Sequence, residues 1–395
     1  MRLRSGVAAV ALLGATATAC TSAPREPLPD PGSQAAASPA GMAWSVVELP
    51  AGFAASLLVP GPDGGVLVAA DGDADGRRGP RLLEVGGGEV RPVPVRAASF
   101  YGRRMVWHTI ATRGGRVYAV GGRSGGAHGI TRWSAWSGTL GPRGRLAEDV
   151  QDFETFGGPD AGGLSQLVAP AGHPPILLGS RVSDAGAGLD IALWDDAGGR
   201  WLRRPSTGTD LAASDEQQPI GGALALRGAG LLIAGSITSF DGGVRTQAAI
   251  WTAPTTEGPW TSHLLPGTGD PASAAVSATC AREGRCLVAG YAGERLAAWT
   301  VSATGETSAV DLPAVPVGPT AATVAADCRD GVCVIVVRDP SHDEGHLLAR
   351  AGGAWREVAP PPGTLGAVAT VGGTLWVATG SAAGPRLWTT PVPRA

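Results

Sequence analysis

Apolar residues in this chain come in short runs, and no long stretch repeats at helical spacing. Val66-Leu67-Val68-Ala69-Ala70 is the first such run, and Val117-Tyr118-Ala119-Val120-Gly121 is the next. Ile176-Leu177-Leu178-Gly179, Leu231-Leu232-Ile233-Ala234-Gly235 and Leu287-Val288-Ala289-Gly290 repeat the form. Val334-Ile335-Val336-Val337 and Leu375-Trp376-Val377-Ala378 complete it. Runs this short, apolar throughout and bounded by glycine-containing turns, read as strands buried on both faces. A further strand follows most of them and carries tryptophan: Ile191 to Trp194, Ala248 to Trp251 and Leu296 to Trp299, with Trp133 and Trp388 assigned to the same slot. A fourth strand reads Trp, several residues, Pro, as in Trp260 to Pro266, Trp355 to Pro360-Pro361 and, more briefly, Trp201 to Pro205.

The seven runs start 41 to 59 residues apart, a period that brackets the blades of β-propellers. The last copy lacks a fourth strand before Ala395. Trp44-Ser45-Val46-Val47-Glu48-Leu49-Pro50 matches the Trp260 segment in length and pattern, so it is expected to complete the seventh blade. Such closure removes free sheet edges. The expected fold class is therefore all-β, a seven-bladed β-propeller over residues 43–395 closed by an N-terminal strand. An open array or two small domains is the alternative.

The stretch Trp194-Asp195-Asp196-Ala197-Gly198-Gly199-Arg200-Trp201 resembles a degenerate Asp-box, with tryptophan where serine usually stands. Asp-boxes mark the turn between the third and fourth strands of sialidase-like propellers. The resemblance implies the fold and not the chemistry.

The N-terminus changes the picture of location. Arg2 and Arg4 precede the apolar segment Val7 to Leu13, which is too short to span a membrane. Ala17-Thr18-Ala19-Cys20 follows and resembles a bacterial lipoprotein cleavage site. The resemblance implies a signal peptide at 1–19, lipidation at Cys20 and a membrane anchor on the outer face of the cell membrane. An ordinary secretory signal cut near Ala19 is the alternative. Residues 20–42 read as the lipidated cysteine and a flexible linker rich in Pro, Ala, Ser and Gly.

Without Cys20, four of the five cysteines remain, and they form two similar hairpins. Cys280 and Cys286 flank one short polar turn, and Cys328 and Cys333 flank the other. Opposed positions in an antiparallel hairpin bring two cysteines within disulfide reach, so Cys280–Cys286 and Cys328–Cys333 are the expected bridges in an oxidising compartment. A zinc site is the alternative; the C-x₂-C spacing it favours is missing.

All 31 basic residues are arginine and the net charge is −3, without a basic stripe, so no nucleic-acid partner is expected. Asp71-Gly72-Asp73-Ala74-Asp75-Gly76 has the alternating carboxylates of a calcium loop, but Leu82 stands where the bidentate glutamate belongs. Calcium on Asp71, Asp73 and Asp75 is the one cofactor the pattern raises, and a solvated acidic turn is the alternative. His342-Asp343-Glu344-Gly345-His346 collects metal-ligand types in a polar turn. Gly122-Arg123-Ser124-Gly125-Gly126 matches a nucleophile elbow in letters but lacks the strand-to-helix setting.

Phe100 to His108 is the densest aromatic and basic segment and enters the innermost strand of the second blade. The long connections Gln151 to Gly163 and Pro205 to Gln218 bring acids to the same rim. The candidate ligand-binding residues are Tyr101, Arg103, Arg104, Trp107, His108, Asp160, Asp215 and Glu216. Inter-blade packing is the competing role for Trp107 and His108. No coherent catalytic set emerges. The expected function is a non-catalytic binding or scaffolding module for an extracytoplasmic glycan, peptide or protein. The alternative is a glycan-processing hydrolase or lyase of sialidase-like type. A tyrosine nucleophile would have to be Tyr101, Tyr118 or Tyr291, and the Phe/Tyr-Arg-Ile-Pro signature expected near the first inner strand is missing.

Overall fold

The computed structural model describes residues 41–74, 77–125, 130–186, 188–268, 272–318, 323–329, 332–338, 345–351, 353–380 and 384–392. Seven sheets follow one another along the chain, antiparallel apart from one short parallel pairing at the edge of the second. Their innermost strands are Ala55–Pro60, Val106–Arg113, Ala161–Val168, Gln217–Arg227, Ser273–Cys280, Thr323–Arg329 and Thr364–Val371. The second strand of each blade is the apolar run read from the sequence. Val66 to Ala70 and Leu231 to Ala234 are fully buried, because each sheet is sandwiched between two others.

The core is seven clusters, one at each blade junction. Leu67, Trp107 and Trp136 pack between blades one and two, and Leu232, Val288 and Trp299 between blades four and five. Phe53, Val68, Ala369 and Trp376 join the seventh blade to the first. Ser45–Val47 pairs antiparallel with Arg386–Pro391, and Trp44 Nε1 donates to Ala359 O at 3.1 Å. The chain is a seven-bladed β-propeller closed by its N-terminal strand.

The small residues that end the second strands have a steric cause. A Cβ on Gly235 would collide with Ile220 O, and one on Gly290 with Ala274 O. The inner strand passes close there because it is bulged, between Gly221 and Ala223 in blade four and between Ala275 and Ser277 in blade five. Inner strands are also joined from blade to blade by polar side chains. Thr109 Oγ1 accepts from Leu167 N–H at 2.9 Å, Gln166 Oε1 from Leu224 N–H at 3.0 Å, and Asp327 Oδ2 from Thr370 N–H at 2.6 Å.

The shared tryptophan slot needs one correction. Trp194, Trp251 and Trp299 face Leu177, Ile233 and Val288, two residues before the closing glycine of each second strand. In blade two the residue at that register is Trp136, facing Ala119, and not Trp133. Trp133 faces Gly122, where its ring fills the space a Cβ would need. Trp388 faces Val377, two residues before Thr379, which stands where the other blades close on glycine, so Trp388 keeps the shared register.

Both expected disulfides are present: Cys280 lies opposite Cys286, and Cys328 opposite Cys333. Bridges of this kind fit an oxidising, extracytoplasmic compartment. Among the described residues no helix is long and apolar enough to cross a membrane. Cys20 and the signal and linker segments through residue 40 lie outside the described residues.

Candidate functional site

The connection from blade one into blade two is built around one carboxylate. Glu148, on the outer strand Arg145–Asp149, accepts from Ala98 N–H and Ser99 N–H at 2.7 Å each with Oε2. Its Oε1 accepts from Ser99 Oγ at 2.6 Å, and Ser99 Oγ accepts in turn from Gly102 N–H at 2.8 Å. Gly102 is buried against that carboxylate, and any Cβ there would overlap it. One 3-10 turn, Gly102–Arg104, then feeds the chain into Val106–Arg113. The main chain is thus held from within while the side chains stay outside. Phe100 is 56% exposed, and Arg103 and Arg104 are exposed beside it. Tyr101 is half-buried, edge-on to Phe100 at 5.5 Å between ring centres.

Trp107 and His108 are placed differently. Trp107 is 3% exposed, donates from Nε1 to Arg81 O at 2.9 Å and meets Trp136 edge-on, which is the packing role. His108 sits on the inner strand with its Nε2 2.6 Å from Leu164 O in blade three and its ring edge-on to Trp133. Loss of water around the imidazole lowers its pKa, and the backbone contacts to Leu164 and Ser165 oppose that shift.

The acidic candidates lie on the next two connections of the same rim. Asp160 is exposed, 3.6 Å from Arg181 Nη2, while Arg181 Nη1 also holds Glu154 O and Gly157 O. Asp215 and Glu216 are exposed, and the main-chain carbonyl of Glu216 accepts from Phe240 N–H at 2.9 Å. Fold topology therefore puts Tyr101, Arg103, Arg104, Asp160, Asp215 and Glu216 on one face over three consecutive blades. Sequence reading missed Arg123, Arg132 and Phe153 on that face. Arg123 Nη1 donates to Arg104 O at 3.3 Å, and the Arg132 guanidinium lies 4.2 Å from the Phe153 ring centre. Their signal was weak, since only strand register reveals that Arg123 and Arg132 are neighbours.

The acidic turn raised as a calcium loop runs as a β-hairpin, with Asp71 opposite Pro80 and Asp73 opposite Arg78. Asp75 lies outside the described residues, as do His342, Asp343 and Glu344. His346 Nδ1 is 2.6 Å from Glu357 Oε1. Ser124 ends the strand Arg116–Ser124.

A wide cavity opens at the opposite rim. It measures about 2540 Å³ and is bordered by the hairpins joining first to second strands, including both disulfide hairpins. A smaller cleft of about 550 Å³ lies there between blades two and three, beside Arg116, Tyr118, Asp149 and Asp196. Tyr118 is 5% exposed, with the Arg113 guanidinium 5.8 Å from its ring centre, so it is a packed side chain. In the Asp-box-like turn, Asp196 Oδ1 accepts from Gly199 N–H and Trp201 packs on Phe156.

No protein-family model matches the chain, and no curated protein matches it. Solved structures do. The polysaccharide lyase Uly1 is 11% identical, with 91% of this chain and 94% of that one covered and a TM-score of 0.51. The β-propeller domain of the Trilobed protease from Pyrococcus furiosus is 10% identical, with 86% and 94% covered and a TM-score of 0.50. The Trypanosoma rangeli sialidase is 13% identical with a TM-score of 0.38; 86% of this chain is covered but only 54% of the sialidase. At such identities the likeness to the first two shows a β-propeller and nothing finer.

Proposed function

We propose that this protein is an exported, lipid-anchored and non-catalytic binding module, held off the membrane by the linker after Cys20. Its binding face is the rim of connections into blades two, three and four. The observation that carries this reading is the connection Ala97 to Met105. Three of its backbone N–H groups donate to the side chains of Glu148 and Ser99, yet Phe100, Arg103 and Arg104 stay exposed on a fixed turn. A rigid main chain with free side chains lowers the ordering cost of binding. The disulfides support the extracytoplasmic address.

The test is the double substitution Tyr101→Ala with Arg103→Ala in the purified exported protein. It is expected to cost no more than about 1 kcal/mol, because Arg103 is exposed and Tyr101 is half-buried on the turn. It is also expected to lose binding on glycan and peptide arrays that retain the parent. Turnover of an arrayed glycan by the parent, or a clear fall in melting temperature of the variant, would sink the proposal.

A further inference from the structure

Two arginines stand directly opposite each other in the second blade, Arg123 on its second strand and Arg132 on its third. Like charges at directly opposed positions repel, so such a pair needs a reason. The fold adds further arginines around the pair, while Asp152 and Glu154 flank Phe153 on its Arg132 side. Arg123 donates to the main-chain oxygen of Arg104, and Arg103 precedes that residue. Among the described residues, none of the four guanidinium groups enters an ion pair. Glu148, the acid that anchors the connection, already accepts with both oxygens from Ala98 and Ser99.

Two of the four are also held flat. Arg104 lies 4.0 Å from the Phe100 ring centre and Arg132 lies 4.2 Å from that of Phe153. Stacking fixes the plane of a guanidinium while leaving its N–H fork available. Arg132 goes further: its Nε is buried and has no hydrogen-bond partner. That atom is sealed from solvent and is not itself a ligand contact; the other N–H groups of this half-buried side chain are the ones an oxyanion meets.

We infer that this basic end of the rim is an oxyanion subsite for the carboxylate or sulfate groups of an acidic polysaccharide. The inference rests on the rim being the binding face. A polysaccharide fits better than an acidic peptide for a structural reason. The outer edge of blade two is already covered by Val95–Arg96, parallel to Arg145–Asp149, so an extended peptide finds no free ladder to join there. The half-buried Tyr101 ring lies beside Gly125, where even an added Cβ would make no more than van der Waals contact with it, and an aromatic ring of this kind is a surface on which a sugar stacks. Repeated charges along a stiff polymer then meet several arginines at once, which multiplies weak contacts.

The experiment measures retention of the purified exported protein on immobilised polygalacturonate, on heparin and on polyglutamate, at low and at raised salt. The parent is expected to bind the polysaccharides in a salt-dependent way and polyglutamate weakly. Arg123→Gln and Arg132→Gln are each expected to weaken that binding by tenfold or more. Ligand-free Arg123→Gln is expected to melt at or above the parent's temperature, because repulsion is relieved. Unchanged retention in both variants, retention on polyglutamate alone, or a lower melting temperature of Arg123→Gln would overturn the subsite. If the parent ignores the acidic polysaccharides, the subsite falls alone; the rim reading still stands or falls with the Tyr101→Ala, Arg103→Ala arrays.

Discussion

Val46 lies directly opposite Trp388, so the first described strand of the chain and the last share one ladder. Trp44 adds a hydrogen bond to Ala359 and packs, with Met42, on the cluster between blades six and seven. Deleting residues 44–50 is therefore expected to expose the third strand of blade seven and to loosen its junctions with both neighbours. The loss should be roughly 3–5 kcal/mol, the scale of removing a packed tryptophan. Denaturant melts of the truncated and intact proteins check it; coincident curves would refute closure as a source of stability.

The disulfides make a covalent prediction. Non-reduced peptide mapping should recover Cys280 with Cys286 and Cys328 with Cys333, since each pair is opposed within one hairpin. Reduction should cost about 2 kcal/mol per bridge, the modest value expected for loops this short. Both hairpins border the wide cavity at the rim away from the proposed site. Rim binding should then survive reduction so long as the protein remains folded. Peptides cross-linking the two hairpins would contradict the strand register.

The fold was legible because its second strands are buried on both faces, and that burial leaves unbroken apolar runs, six of which end in glycine or alanine. The closing strand was legible because Trp44 to Pro50 is a displaced copy of a pattern seen elsewhere. The tryptophan slot of blade two was not: Trp133 and Trp136 both lie in Thr131–Thr139, and only pairing with Ala119 selects Trp136. Likewise Phe100 to Arg104 stood out as a dense segment, whereas the grip of Glu148 on it depends on a contact between residues far apart in sequence. Trp107 was visible as an aromatic, but its burial against Trp136 was decided by the blade junction.

Three blades use tryptophan in one further way. Trp194, Trp251 and Trp299 donate from Nε1 to Thr155 O, Asp210 O and Pro266 O at 2.9–3.0 Å. Each acceptor belongs to the connection entering that tryptophan's own blade. Trp251→Phe keeps most of the packing and removes the hydrogen bond, so it should cost about 1 kcal/mol. Trp251→Ala should cost about 3–5 kcal/mol. Equal losses in the two variants would show that the anchoring bond, and not the buried ring, carries the effect.

His108 makes stability depend on mild acid. Its pKa is lowered in the folded protein, mainly because the ring loses water, so the unfolded chain binds the proton more readily. Stability from this group is present above the ordinary histidine value of 6.5 and is lost as pH falls toward the lowered one. His108→Gln should flatten the melting temperature between about pH 6.5 and 5, where free imidazole takes up its proton. An unaltered slope in the variant would assign the effect elsewhere.

Asp149 has the opposite sign. Its carboxyl is pushed upward by burial first and then by the charges of Asp196 and Glu148, against a lowering hydrogen bond from Ser137. The folded state therefore holds this proton more tightly than the unfolded chain does. Stability from the group is present below the ordinary value of 3.8 and is lost as pH rises through the raised one. At neutral pH the ionised carboxylate is a cost, even with Arg113 and Arg116 in the same cleft. Asp149→Asn keeps the shape and removes the charge, so it should raise the melting temperature at pH 7. The gain should shrink toward zero as the pH is taken below 4, where both states of the parent become protonated. A lower melting temperature for Asp149→Asn at pH 7 would mean that the arginines of the cleft stabilise the carboxylate more than its acidic neighbours and burial oppose it.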